Sequence, residues 1–182
     1  DARMNGCALP VVINSGSGNQ GMTCTLPVVV YAKDLGVSEE KLMRALVFTN
    51  LIAIHQKRYI GDLSAYCGAV SAGAAAGCGI AYLHDEPFET IKYTLTNTLA
   101  TTSGIVCDGA KSSCASKIAA SVNASILAYE MAKRGRHFRP GEGIVANDAE
   151  ETVQNVGHVA KEGMRETDIE ILNLMNNNNP KE

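Results

Sequence analysis

The sequence predicts an all-α fold: a single compact helical bundle around a buried central helix of small residues. Three observations predict it. Apolar residues recur at helical spacing along most of the 182 residues. Caps and stop signals punctuate those stretches, and no alternation of apolar and polar residues is sustained between turns. A first helix is expected from near Met22 or Thr25 to Gly36, with Pro27 in its first turns. Ser38-Glu39-Glu40 opens a second, in which Leu42, Ala45, Leu46, Thr49 and Ile52 or Ala53 share a face toward His55. From Leu63 to Leu83 the chain is Ala, Gly, Ser and Cys with few large side chains. A helix apolar nearly all round belongs inside a bundle, where small residues let neighbours approach. Asp85-Glu86-Pro87 starts a fourth helix through Thr101, its acids at the positive end of the dipole. A long helix follows from Ser112 or Ser113 to Lys133 or Arg134, stopped by Gly135. Asn147-Asp148-Ala149-Glu150-Glu151 caps another that runs to Glu162, and Glu166 to Met175 forms a last short one. Leu9 to Asn14 reads as extended, weakened by Pro10, and residues 176–182 read as a polar, frayed tail.

Composition narrows the function classes. A hydrophobic content of 46% over 182 residues suits one domain that needs no disulfide staples. The net charge of −3, the absence of Trp and the lack of a basic stripe argue against a nucleic-acid partner. No apolar run reaches membrane-spanning length and no charged-then-apolar leader opens the chain, so the expected location is the cytoplasm, away from membranes. Asp1-Ala2-Arg3-Met4-Asn5-Gly6 reads as mid-protein sequence. The expectation is therefore a C-terminal fragment of a longer chain, inactive by itself. The expected partners are a small amino-acid substrate and, as a possible assembly, a second copy.

Six cysteines in Ala/Gly-rich apolar segments read as reduced thiols. Cys7, Cys24 and Cys78 are expected to be small buried hydrophobes. Cys67, Cys107 and Cys114 form a triplet, the last two framing Asp-Gly-Ala-Lys-Ser-Ser. That interval is too wide for a C-x-x-C zinc knuckle but suits a turn between two helices. Three soft thiolates can hold three corners of an iron–sulfur cube and leave the fourth iron open. The free N–H groups at the start of the following helix, and Lys111, would lower the thiol pKa values. A structural metal in a helical interaction module is the alternative, against which stands the lack of a nearby fourth ligand.

Gly16-Ser17-Gly18-Asn19-Gln20-Gly21 matches the dinucleotide fingerprint G-x-G-x-x-G, with Glu39 or Glu40 at the distance of the ribose-binding acid. The match fails because that acid falls in a helix cap rather than at the end of a second parallel strand. What remains is a glycine turn at a helix start, where inward N–H groups make an anion site for a carboxylate. Ser15, Ser17, Asn19 and Gln20 add neutral donors beside Gly16 and Gly18. A turn that serves geometry alone is the other reading. The run His55-Gln56-Lys57-Arg58-Tyr59 is either a source of charge for the carboxylate or a solvated helix end. His84, His137 and His158 take no role.

Three blocks carry a resemblance: Asn14 through Gly21, Tyr59-Ile60-Gly61-Asp62-Leu63-Ser64-Ala65-Tyr66-Cys67-Gly68, and Thr101-Thr102-Ser103-Gly104-Ile105-Val106-Cys107-Asp108-Gly109-Ala110-Lys111. With them the chain resembles the C-terminal region of the L-cysteine desulfidase family, similar in turn to the α domain of iron–sulfur L-serine dehydratases. The resemblance implies a four-iron four-sulfur cluster on Cys67, Cys107 and Cys114, and a lyase without pyridoxal that converts L-cysteine to pyruvate, ammonia and hydrogen sulfide. It implies a catalytic base on a cysteine near the N-terminus of the full protein, to which nothing here corresponds. Dehydratases space their last two ligands farther apart and carry Pro where this chain has Gly109, so the match leans to the desulfidases. L-serine ammonia-lyase activity is the alternative within the class. An exposed cube with an open iron is oxygen-labile, and an aerobic preparation is expected to lose it.

Overall fold

A computed structural model describes residues 1–61 and 64–177 of the chain. The order is a 3-10 turn at Ala2–Asn5, then α1 (Gly18–Leu35), α2 (Glu39–Ile60), α3 (Gly68–Leu83), α4 (Phe88–Thr102), α5 (Cys114–Lys133), α6 (Ala149–His158), a π turn at Val159–Gly163, and α7 (Arg165–Asn177). Among the described residues there is no strand; isolated bridges join Asn14 to Ser17 and Tyr66 to Val106. The all-α expectation holds, and the parallel sheet a dinucleotide fold requires is absent from those residues. None of the helices is long and apolar enough to cross a membrane among the described residues.

α3 is the axis of the bundle, packed by α1, α2, α4 and α5. Its small side chains set how near the neighbours come. A Cβ added at Gly73 would lie 2.1 Å from Ser121 Oγ on α5, and one at Gly79 2.4 Å from Thr49 Oγ1 on α2. Larger residues there would force the helices apart. Around this axis the apolar clusters are filled by longer side chains from its partners, among them Ile60, Tyr66, Leu99 and Val153. α6 lies across α2 and α4, with Gly157 so near Tyr59 that a Cβ would meet its Cβ at 2.3 Å.

Helix ends follow the caps, with corrections. Ser38 Oγ accepts the N–H of Lys41 and Asp148 accepts that of Glu151; Gly36 closes α1 in the left-handed conformation at φ 62°. α1 starts at Gly18, not near Met22 or Thr25, so Pro27 sits in its interior. Gly18 and Gly21 are helical and leave room for close neighbours: a Cβ on Gly18 would lie 2.8 Å from Val11 Cγ1, and one on Gly21 2.0 Å from the Val12 carbonyl oxygen. α2 continues past His55 to Ile60. α4 begins at Phe88 with Pro87 as its cap, since Asp85 turns the chain at φ 56°. α3 begins at Gly68 rather than at Leu63, where the expected helix started and which lies outside the described residues. Residues 9–13 form no strand. α6 ends at His158 and passes into the π turn rather than running to Glu162. α7 includes Asn176 and Asn177, and the rest of the tail, 178–182, lies outside the described residues.

Candidate functional site

Cys67 and Cys107 meet through the main chain. Two antiparallel hydrogen bonds, Cys67 N–H to Ile105 carbonyl at 3.2 Å and Cys107 N–H to Ala65 carbonyl at 2.6 Å, flank the Tyr66–Val106 bridge. Cys67 then caps α3, and Cys114 opens α5. Between them the chain turns at Gly109, whose φ of 89° no proline can adopt. The Cys114 thiol donates to the Gly109 carbonyl at 3.6 Å. Neither Cys67 nor Ser113 caps its helix with a side chain. At the start of α5 the N–H groups of Cys114, Ala115 and Ser116 donate to the carbonyls of Lys111, Ser112 and Ser113, so the free donors expected there are already taken by the main chain.

Burial pushes the Cys67 thiol up, and Cys107 and Cys114 add to that, while the Ala69 N–H and the Lys117 ammonium oppose it. Cys67 is buried and the other two thiols are half-buried. Among the described residues no three His, Cys, Asp or Glu side chains converge on one metal ion. A closed tetrahedral zinc site is thus a poor fit. Soft thiols from two linked segments are the ligand type that an iron–sulfur cluster takes. A second cation, Lys117, also reaches this loop: its Nζ donates to the Val106 carbonyl at 3.0 Å and pairs with Asp108. The signal available in the sequence was its place three residues after Cys114, on the same helical face.

The glycine turn adjoins this end of the bundle. Ser15 and Gly16 take positive φ, 54° and 101°, and Ser17 Oγ accepts the Gln20 N–H at 3.1 Å. That leaves the N–H groups of Gly18 and Asn19 at the helix start without intrahelical partners. The Gln20 side chain lies over Gly68, where a Cβ would meet its amide at 2.4 Å. Its Oε1 is buried and has no partner. The turn and the thiol segment therefore touch through Gln20, next to Cys67. Asn19 is held by Arg3 at 2.8 Å, while Ser15 Oγ donates to Asn14. The 3-10 turn bridges the two loops, because Asn5 accepts from Ser112 Oγ at 2.9 Å.

Other expectations resolve differently. Cys24 and Cys78 are buried as expected, but Cys7 is exposed, because the segment ahead of α1 packs only along its edge. His55 and Tyr59 face Glu150 of α6, at 2.6 and 2.7 Å, and Gln56 is buried, donating to the Ser71 carbonyl at 3.0 Å. His84 stacks on Tyr129 and His137 on Tyr93.

Sequence comparison gives the class: the chain belongs to the serine dehydratase alpha chain family, whose profile matches residues 1–173. It is 59% identical over 177 residues to a UPF0597 protein of Desulfitobacterium hafniense, covering 97% of this chain and 41% of that protein. It is also 55% identical over 175 residues to a UPF0597 protein of Finegoldia magna, covering 96% and 42%. The chain thus spans about two-fifths of the length of these curated relatives. No solved structure matches it.

Proposed function

We propose that this chain is the cluster-holding and carboxylate-binding part of an iron–sulfur lyase that converts L-cysteine to pyruvate, ammonia and hydrogen sulfide. The observation that carries the reading is the contact of Gln20 with Gly68, which sets the glycine turn beside the thiols. Cys67, Cys107 and Cys114 would hold a four-iron four-sulfur cluster. When bound, that cluster supplies a Lewis acid that assists departure of the β-substituent. The first N–H groups of α1, with Ser15 and Ser17 beside them, receive the substrate carboxylate and orient the amino acid. The buried Gln20 Oε1, an acceptor without a partner, suits the substrate ammonium. Loss of the α-proton and of the β-sulfur as hydrogen sulfide leaves an enamine, which tautomerises to the imine; water then releases pyruvate and ammonia. The base belongs, by the same resemblance, to a cysteine in the part of the full protein that this chain does not span.

L-serine ammonia-lyase activity is the second reading, favoured by the family description. Against it stands Gly109, whose backbone conformation excludes the proline of the dehydratases. The test is anaerobic reconstitution of the full-length protein with iron and sulfide. The expected result is a broad brown absorbance and release of sulfide and pyruvate from L-cysteine. Cys67→Ala, Cys107→Ala and Cys114→Ala should each lower bound iron. Undiminished iron in all three variants sinks the reading, and faster pyruvate formation from L-serine than from L-cysteine moves the protein to the dehydratases.

A further inference from the structure

We propose that Lys117 is a positioning residue of the thiol site: it clasps the Cys107 segment to the helix that begins at Cys114, and it holds a positive charge there. The inference rests on the cluster reading above. Lys117 stands in the first turn of α5, three residues after Cys114, so both project from one face of the helix. Its side chain is only 20% exposed, and its ammonium is committed to the Val106 carbonyl and the Asp108 carboxylate.

The choice of carbonyl matters. Within 105–107 the inner edge is used by the two ladder bonds to 65–67. The Val106 carbonyl faces the outer edge, as residues at a bridge of this type must. Lys117 therefore holds the segment from the side that the ladder leaves free. Cys67 and Cys107 are registered by the main chain, and Cys107 and Cys114 by Lys117. Three thiolates brought together repel one another, and a half-buried cation beside them offsets that repulsion more than an exposed one would. Charge-assisted bonds of this kind also fix geometry, as outer partners of metal ligands do.

The test uses full-length protein reconstituted anaerobically, with folding checked by far-ultraviolet circular dichroism. Lys117→Met is expected to release iron to a chelator about 10-fold faster than wild type. It should also shift the cluster's midpoint potential to more negative values, since a cation has gone. Lys117→Arg, which keeps the charge, should restore the potential, and Lys33→Met, an exposed position at the far end of α1, should change neither quantity. If Lys117→Met does not fold, Asp108→Asn carries the test. It cuts one arm of the clasp at an exposed residue, so iron release should quicken while the potential moves the opposite way. Wild-type release rate and potential in Lys117→Met, or in Asp108→Asn where that variant stands in, overturn the inference and leave the cluster reading intact. A wild-type protein that takes up no cluster overturns both.

Discussion

Cys24 and Cys78 show how burial withdraws a thiol from chemistry. Burial pushes Cys24 up to about 11 and Cys78 up to about 12, so at neutral pH almost none of either is thiolate, the only reactive form. With iodoacetamide at pH 8 on the native, cluster-free protein, peptide mass spectrometry should find Cys7 labelled first. Cys24 and Cys78 should stay unlabelled until denaturant is added; early labelling of Cys78 would show that α3 opens. The same residues show what a sequence discloses. Ala/Gly-rich surroundings announce Cys78 as core, and the odd spacing of Cys67, Cys107 and Cys114 marks them as a set. Lys117 escaped notice because a lysine in a helix is ordinarily a solvated one. Only the antiparallel bridge between residues far apart in sequence gives it a carbonyl to hold.

Between elements, the α2–α6 contact depends on Glu150, which accepts from His55, Tyr59 and Gln154. Burial raises its carboxyl, but those hydrogen bonds outweigh burial and hold it below the usual carboxylate value of 4.5. Protons therefore bind the unfolded chain more readily than the folded one over that range. The stabilisation is complete above pH 4.5 and fades as pH falls through the lower, folded value. Glu150→Gln should lower the thermal midpoint at pH 7, and the gap to wild type should close as acid is added. A gap independent of pH would place the effect in packing instead. The acidic cap of α6 was legible as a helix start, whereas its partners on α2 were not: His55 to Tyr59 carry the composition of a solvated end. The glycines of α1 misled in the other direction. Gly18 and Gly21 have the look of a loop, yet they are helical, Gly18 bare where the Val11 and Arg3 side chains press on it and Gly21 where the backbone of Val12 crosses it.

At the scale of the molecule, α3 touches four of the other helices, so an error in its spacing reaches them all. Gly73→Ala drives a methyl into Ser121 Oγ and should cost about 1–3 kcal/mol in chemical denaturation. Adding Ser121→Gly should recover part of that, as coupled neighbours do; additive losses would deny the close approach. The hub was readable from composition alone, since a helix of Ala and Gly has no other place to go. The π turn was not, because nothing in Val159 to Gly163 departs from a helical sequence. There the Met164 N–H reaches back to the Val159 carbonyl at 2.8 Å, and the Ala160 carbonyl takes Ser64 Oγ at 2.7 Å. Downstream, Met175 Cε rests against Gly109 between Cys107 and Cys114, where a Cβ would come within 2.8 Å. The wide turn acts as a protractor: one residue fewer would swing everything beyond it by about 100°. Met175 would then point away from the cysteine loop, so the shelter over that loop is gauged by counting peptide units rather than by the chemistry of any side chain in the turn.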